Sequence, residues 1–178
     1  NLGPVSELDL GRHLEHLHMA KKNKRSPRDS FETLVERDLT ALAAARKLPE
    51  GYGLEQPAAE LATLLTRGGK APLLAGEAGV GKSALVQELA RRIVLANAPE
   101  GLLGARVLEL TAAGIFARTS TPKGAAELLE QFLEEAGQHP GLTILFLRDV
   151  GHVRDSSLVP VLIRALRGGR VRFIFETD

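Results

Sequence analysis

The sequence predicts an α/β fold: a parallel sheet in a three-layer αβα sandwich, preceded by a helical N-terminal segment. Three observations carry this. From residue 71 onward, short apolar runs alternate with longer amphipathic stretches. A glycine-rich loop, GEAGVGKS, sits between one such run and the helix-like stretch that follows. The chain has 178 residues with 44% hydrophobic content, enough for a core of domain size.

The elements follow in order. Residues 1–28 read as a linker or N-terminal arm, and residues 29–178 as the folded core. The arm holds HLEHLH (His13–His18) and KKNKRSPR (Lys21–Arg28). The histidine spacing puts at most two rings on one helix face, and no carboxylate completes a metal set. The basic run is either a solvated linker or a contact for phosphate or an acidic partner. Asp29 and Glu32 form a capping box ahead of Phe31, Leu34, Val35, Leu39 and Leu42, whose spacing predicts one helix closed by Pro49. Gly51-Tyr52-Gly53 is a turn. A second helix is expected over Glu55–Arg67, with Leu61, Leu64 and Leu65 on one side and Gly68-Gly69 ending it. Strands are expected at Ala71–Gly76, Ala105–Leu110, Leu142–Leu147 and Val171–Thr177. Between them come helices at Lys82–Ala96, Ala125–Ala136 and Leu158–Leu166, the last with Pro160 in its first turn. Strands separated by helices of this length pair in parallel.

The loop comprises Gly76, Glu77, Ala78, Gly79, Val80, Gly81, Lys82 and Ser83, and it matches G-x-x-x-x-G-K-[ST] in full. Its three glycines permit backbone conformations that turn successive N–H groups inward as an anion nest. The following helix, with Ala84 in its first turn, points its N-terminus at the phosphates. Lys82 brings a charge to the β- and γ-phosphates, and the Ser83 hydroxyl is a ligand for Mg²⁺. The fold class is therefore that of a P-loop NTPase, with ATP or ADP as the expected ligand.

With the loop in place, its flanks become recognisable. LVERDLTALAAARKLPEGYG, APLLAGEAGVGKSALVQELARRIV and APEGLLGARVLEL resemble the first nucleotide-binding module of ClpB/ClpA-type AAA+ unfoldases. LVPVLIRALRGGRVRFIFETD is similar to the stretch leading into that family's fourth strand. The resemblance covers about Phe31 to Asp178. It implies an ATP-binding module that assembles as a homo-oligomeric ring and remodels protein substrates. It also implies that a fifth strand, arginine fingers and a helical lid follow the fourth strand, so the core is expected to be either truncated before them or that of a degenerate relative. Gly51, Tyr52 and Gly53 fall where the family lines its adenine pocket, and the tyrosine ring either stacks on a purine or packs on the core. Thr177 falls near the family's first sensor, a polar residue that helps place the attacking water, with Asp178 adjacent.

Two stretches depart from the family pattern. The substrate-gripping loop corresponds to RTSTPKG (Arg118–Gly124), which lacks the family's aromatic, while nearby Phe116 reads as core. The strand LFLRDVG (Leu145–Gly151) carries Arg148 where the family has an aspartate that orders Mg²⁺, and Asp149 where it has a catalytic glutamate. Three arrangements are open. Aligned without gaps, Asp149 is a shortened general base, and Arg148 repels Mg²⁺ or neutralises phosphate itself. Slipped by one residue, Asp149 takes the metal role and Val150 stands in the base position. Otherwise Arg148 points to the surface and Asp149 assists Mg²⁺ alone. A purely structural Asp149, capping the turn before Gly151, is a fourth reading.

Composition narrows the function classes. A net charge of +1 and an aromatic content of 4% give no footing for nucleic acid. No apolar run reaches the ~20 residues that span a bilayer. The absence of cysteine excludes disulfide scaffolds and thiolate metal sites, and suits a cytoplasmic setting. The leading expectation is an ATP-binding module of a Clp-type protein-remodelling ATPase, with weak hydrolysis. Its competitors are a non-catalytic nucleotide-binding or assembly module and a protein-interaction domain using the basic arm.

Overall fold

The computed structural model describes residues 34–68, 70–153 and 156–178. The histidine cluster, the basic run and the Asp29–Glu32 box lie outside the described residues.

The first described strand is a correction to the sequence reading. Instead of one helix across Phe31–Leu42, the chain forms a two-residue strand, β1 (Arg37–Asp38), and a short helix, α1 (Leu39–Ala44). The reason lies in Asp38. Its extended backbone and its carboxylate, which accepts from the Ala41 N–H at 2.9 Å, make it an N-cap rather than a helix interior residue. Helix α2 (Glu55–Arg67) has the expected bounds and ends at Gly68, where φ is +68°. It buries Ala58, Leu61, Ala62 and Leu65, but Leu64, expected on that side, is half-exposed.

Next come β2 (Leu73–Ala75), α3 (Lys82–Val94), β3 (Arg106–Thr111), α4 (Ala112–Ala117), α5 (Pro122–Gly137), β4 (Thr143–Arg148), α6 (Leu158–Gly168) and β5 (Val171–Thr177). Single 3₁₀ turns cover Glu100–Leu102 and Val150–Val153. Helix α4 was not foreseen. Thr111 caps it by accepting from the Gly114 N–H, and it carries Phe116, partly buried against the core. The Arg118–Gly124 stretch joins α4 to α5, with Thr121 as the N-cap and Pro122 in the first turn.

The sheet order is β1-β3-β4-β5-β2. The four longer strands are parallel, and β1 is an antiparallel edge with Arg37 opposite Glu109. Alternation along the strands makes the layers. Val107, Ile144, Phe146 and Ile174 face α1, α2 and α3. Leu108, Leu110, Leu145, Leu147 and Phe173 face α4, α5 and α6. The neighbours β2 and β5 stand at opposite ends of this αβα sequence, so α3 carries the chain across one face while α5 and α6 return it over the other. The crevice beyond the carboxyl ends of β2 and β5 is thus a topological switch point, where open α/β sheets bind ligands.

Candidate phosphate-binding site

The strand ends bring the sequence's candidates to that crevice. Ala75 lies opposite Thr177, so the loop after β2 runs beside the end of β5. Gly76, Gly79 and Gly81 have φ of +150°, +87° and +100°, the region that disfavours any Cβ. An open pocket of about 400 Å³ is lined by Ala78, Gly79, Gly81, Lys82, Ser83, Ala84, Arg148, Asp149, Glu176 and Asp178. Gly76, Glu77, Val80 and Thr177 sit beside it rather than in its lining. Tyr52 and Gly53 do not line it either. Tyr52 is 89% exposed, so its ring is not packed on the core.

Lys82 is buried and folded back on its own loop. Its Nζ donates to the carbonyls of Gly76 and, at 3.1 Å, of Glu77. It also donates to Asp178 Oδ1 at 3.1 Å and stands 3.7 Å from Glu176 Oε1. A phosphate entering this pocket therefore competes with Asp178 for the ammonium group.

Arg148 ends β4, and the pleat decides where it points. It is two residues beyond Phe146, on the α3 face, and does not turn outward to the surface. Glu109 stands two residues beyond Val107, and Glu176 two beyond Ile174, on the same face of the flanking strands. Arg148 Nε donates to Glu176 Oε2 at 2.8 Å, and Nη1 donates to Glu109 Oε1 at 3.0 Å. Glu109 is 1% exposed, and its other oxygen accepts from Arg37 Nε at 2.8 Å. Charge thus alternates across the sheet from Arg37 through Glu109, Arg148 and Glu176 to Lys82. Burial lowers the Arg148 pKa, but the hydrogen bonds and charges of Glu176 and Glu109 outweigh it and leave the guanidinium above its ordinary value.

The sequence reading did not single out Glu109 or Glu176. A signal was present: V-x-E, F-x-R and I-x-E place a charge at the same offset in three successive strands.

Asp149 follows in the left-handed region, with φ of +58°, and its backbone carbonyl accepts from the His152 N–H at 3.2 Å. Its carboxylate takes no hydrogen bond among the described residues, so the side chain does not cap the turn. Gly151 is pressed against Thr177, whose Oγ1 would lie 3.2 Å from any Cβ there.

The expected Mg²⁺ ligands, Ser83 and Asp149, both line the pocket. The donor set around them suits a divalent cation poorly. Glu176 and Asp178 are engaged by Arg148 and Lys82, and a permanent cation stands among them. Among the described residues no group of three histidines or carboxylates is arranged to hold a metal. Nor is any described helix long and apolar enough to cross a membrane.

Comparison with known proteins agrees with this architecture. Residues 72–175 match the ATPase family associated with various cellular activities (AAA). The chaperone protein ClpB of Corynebacterium diphtheriae is 35% identical over 133 residues, covering 73% of this chain and 16% of that protein. The ClpB of Gloeobacter violaceus is 32% identical over 133 residues, covering 73% of this chain and 15% of its own length. Among solved structures, the Saccharomyces cerevisiae Hsp104–ADP complex superposes with a TM-score of 0.71 at 27% identity, over 79% of this chain and 21% of that one. The closed state of Hsp104 with ATPγS and FITC casein gives 0.74 at 27% identity, over 83% and 27%. The chain thus spans about a sixth of the length of the curated relatives it matches. It belongs to the AAA family of ATPases, as a Clp-type AAA+ module.

Proposed function

We propose that this module binds ATP or ADP at the Gly76–Ser83 loop and hydrolyses ATP weakly. The observation that carries the reading is the pairing of a complete phosphate loop with an arginine, clamped by two glutamates, at the tip of β4, one strand removed from β2 across β5. Lys82 and the loop amides hold the β- and γ-phosphates, and Ala84 lies in the first turn of α3, whose N-terminus faces them. Among the described residues Asp149 is the one carboxylate in the lining without a partner, which makes it the candidate base. Its short side chain sets a poor reach, and a misplaced base loses rate steeply. Thr177, beside Gly151 and the end of β2, is the candidate for placing water. The exposed Tyr52 ring is available to stack on a purine, with Gly53 beside it. Magnesium accompanying the nucleotide would meet Ser83 and Asp149, but no step of this reading depends on it.

The likeness to Hsp104 bound to ADP, ATPγS and casein extends the proposal to the full-length protein: a cytoplasmic, ring-forming, protein-remodelling ATPase acting on polypeptide. The Arg148 clamp also favours a second reading, in which nucleotide is a structural ligand or switch and is not turned over. The interaction-domain reading rests on residues 1–28, outside the described residues.

Calorimetry with ATP and ADP, together with phosphate release, tests both readings. Binding with turnover below roughly 10⁻² s⁻¹, the scale of NTPases acting without a partner, is expected. Turnover of several per second would overturn weak hydrolysis. No heat of binding at millimolar nucleotide would overturn both readings. Binding that raises thermal stability with no phosphate release at all would select the structural-ligand reading.

A further inference from the structure

We propose that Arg148 does the work a divalent cation would otherwise do, so that this pocket binds the terminal phosphates of a nucleoside di- or triphosphate without Mg²⁺. The inference rests on the nucleotide-binding reading above and concerns how the same site neutralises its ligand.

Four features of the pocket lead there. First, Arg148 lines it together with Lys82 and Ser83, so its charge faces the space a phosphate would enter. One carboxylate, Glu176, meets both cations: Oε2 accepts from Arg148 at 2.8 Å, and Oε1 lies 3.7 Å from Lys82 Nζ. The two positive groups are therefore within the span of a single side chain, the separation a polyphosphate would bridge. Second, the guanidinium is oriented before any ligand arrives. Nε and Nη1 are held by glutamates on two different strands, while Nη2 takes no hydrogen bond among the described residues. A planar fork with two edges fixed and one free suits phosphate oxygens and costs little further ordering. Third, a divalent ion is disfavoured by the same arrangement. It would meet a fixed positive charge, and of the carboxylates in the lining only Asp149 is unengaged among the described residues. Fourth, the arginine is anchored at depth. Glu109 is buried and is shared with Arg37, so the clamp is part of the sheet and not a chance surface pairing.

The test is calorimetric titration of the whole chain with ATP, in excess EDTA and again in excess Mg²⁺. The wild-type dissociation constant is expected to agree within about threefold between the two conditions. Arg148→Gln is expected to weaken binding at least tenfold in EDTA and to recover part of that loss when Mg²⁺ is added. Arg148→Lys, which keeps the charge and loses the fork, should fall between the two in EDTA. The wild-type arm needs no variant, so the proposal stands or falls even if Arg148→Gln fails to fold. A tenfold or greater gain in wild-type affinity on adding Mg²⁺ would overturn this inference and leave the nucleotide reading intact. Equal affinity of wild type and a folded Arg148→Gln in EDTA would do the same. No binding in either condition would overturn both.

Discussion

The two sides of the phosphate pocket are built by different means. On the β2 side, the chain grips with its own backbone. Three glycines at positive φ shape the loop, and Lys82 is held by carbonyls five and six residues before it. On the β4 side, one side chain is held by two others, 28 and 39 residues away in sequence. The loop is a local object that tolerates little change in its letters. The clamp is an agreement among three strands, and each member has meaning only through the others. One side therefore fails by losing a contact to the ligand. The other fails by leaving a buried charge without its partner.

The largest expected effect comes from breaking the loop side. Lys82→Ala should lower ATP affinity at least about 100-fold, equivalent to ~2.7 kcal/mol, by isothermal titration. The fold should survive, because the loop's shape rests on backbone conformation. A loss below about fivefold would mean that the loop is not the main grip, and the contrast between the sides would collapse.

Glu109→Ala strikes the other side. Removing one partner of a buried pair costs 3–5 kcal/mol when the remaining charge stays buried. Here the stranded groups, Arg37 and Arg148, keep 39% and 32% of their side-chain surface in water, which relieves them. The expected loss of unfolding free energy is therefore about 2 kcal/mol, read from urea denaturation with an unchanged slope. No measurable loss would show the clamp to be energetically idle. Asp38→Ala, at the β1 edge, is the smaller counterpart. It removes the N-cap bond to Ala41 and a half-exposed ion pair with Arg106, at a cost of about 1 kcal/mol in the same assay.

The same division explains what could be read from the sequence. The loop, the helix bounds at Glu55–Arg67 and the alternation from Leu73 onward are local, and their spacing expresses them directly. The break between Leu34 and Leu39 was hidden because apolar spacing continues through it, while the deciding interactions are an aspartate cap and the pairing of Arg37 with Glu109, 72 residues away. Arg148 could be singled out as an oddity, but not its direction or partners. Those follow from the registers of β3 with β4 and of β4 with β5, and register is a property of the assembled sheet. Glu109 and Glu176 share this dependence on register: in a lone strand a glutamate near the end reads as solvated, and only the common offset of V-x-E, F-x-R and I-x-E across three strands hints at the clamp.

The smallest expected effect sits where the two sides meet. Asp178 accepts from Lys82 Nζ at 3.1 Å while remaining 77% exposed. A carboxylate in that place competes with phosphate for the ammonium group and adds a repelling charge at the pocket mouth. Asp178→Asn removes the repulsion and leaves the amide oxygen as a weaker acceptor. ATP affinity should rise about two- to threefold, a modest change because an exposed ion pair is well screened by water. The gain should shrink between about 0.05 M and about 0.5 M salt, since screening weakens the repulsion being removed. A fall in affinity would reverse the assignment. It would mean that Asp178 holds Lys82 in its binding position, and so belongs to the grip and not to its competition.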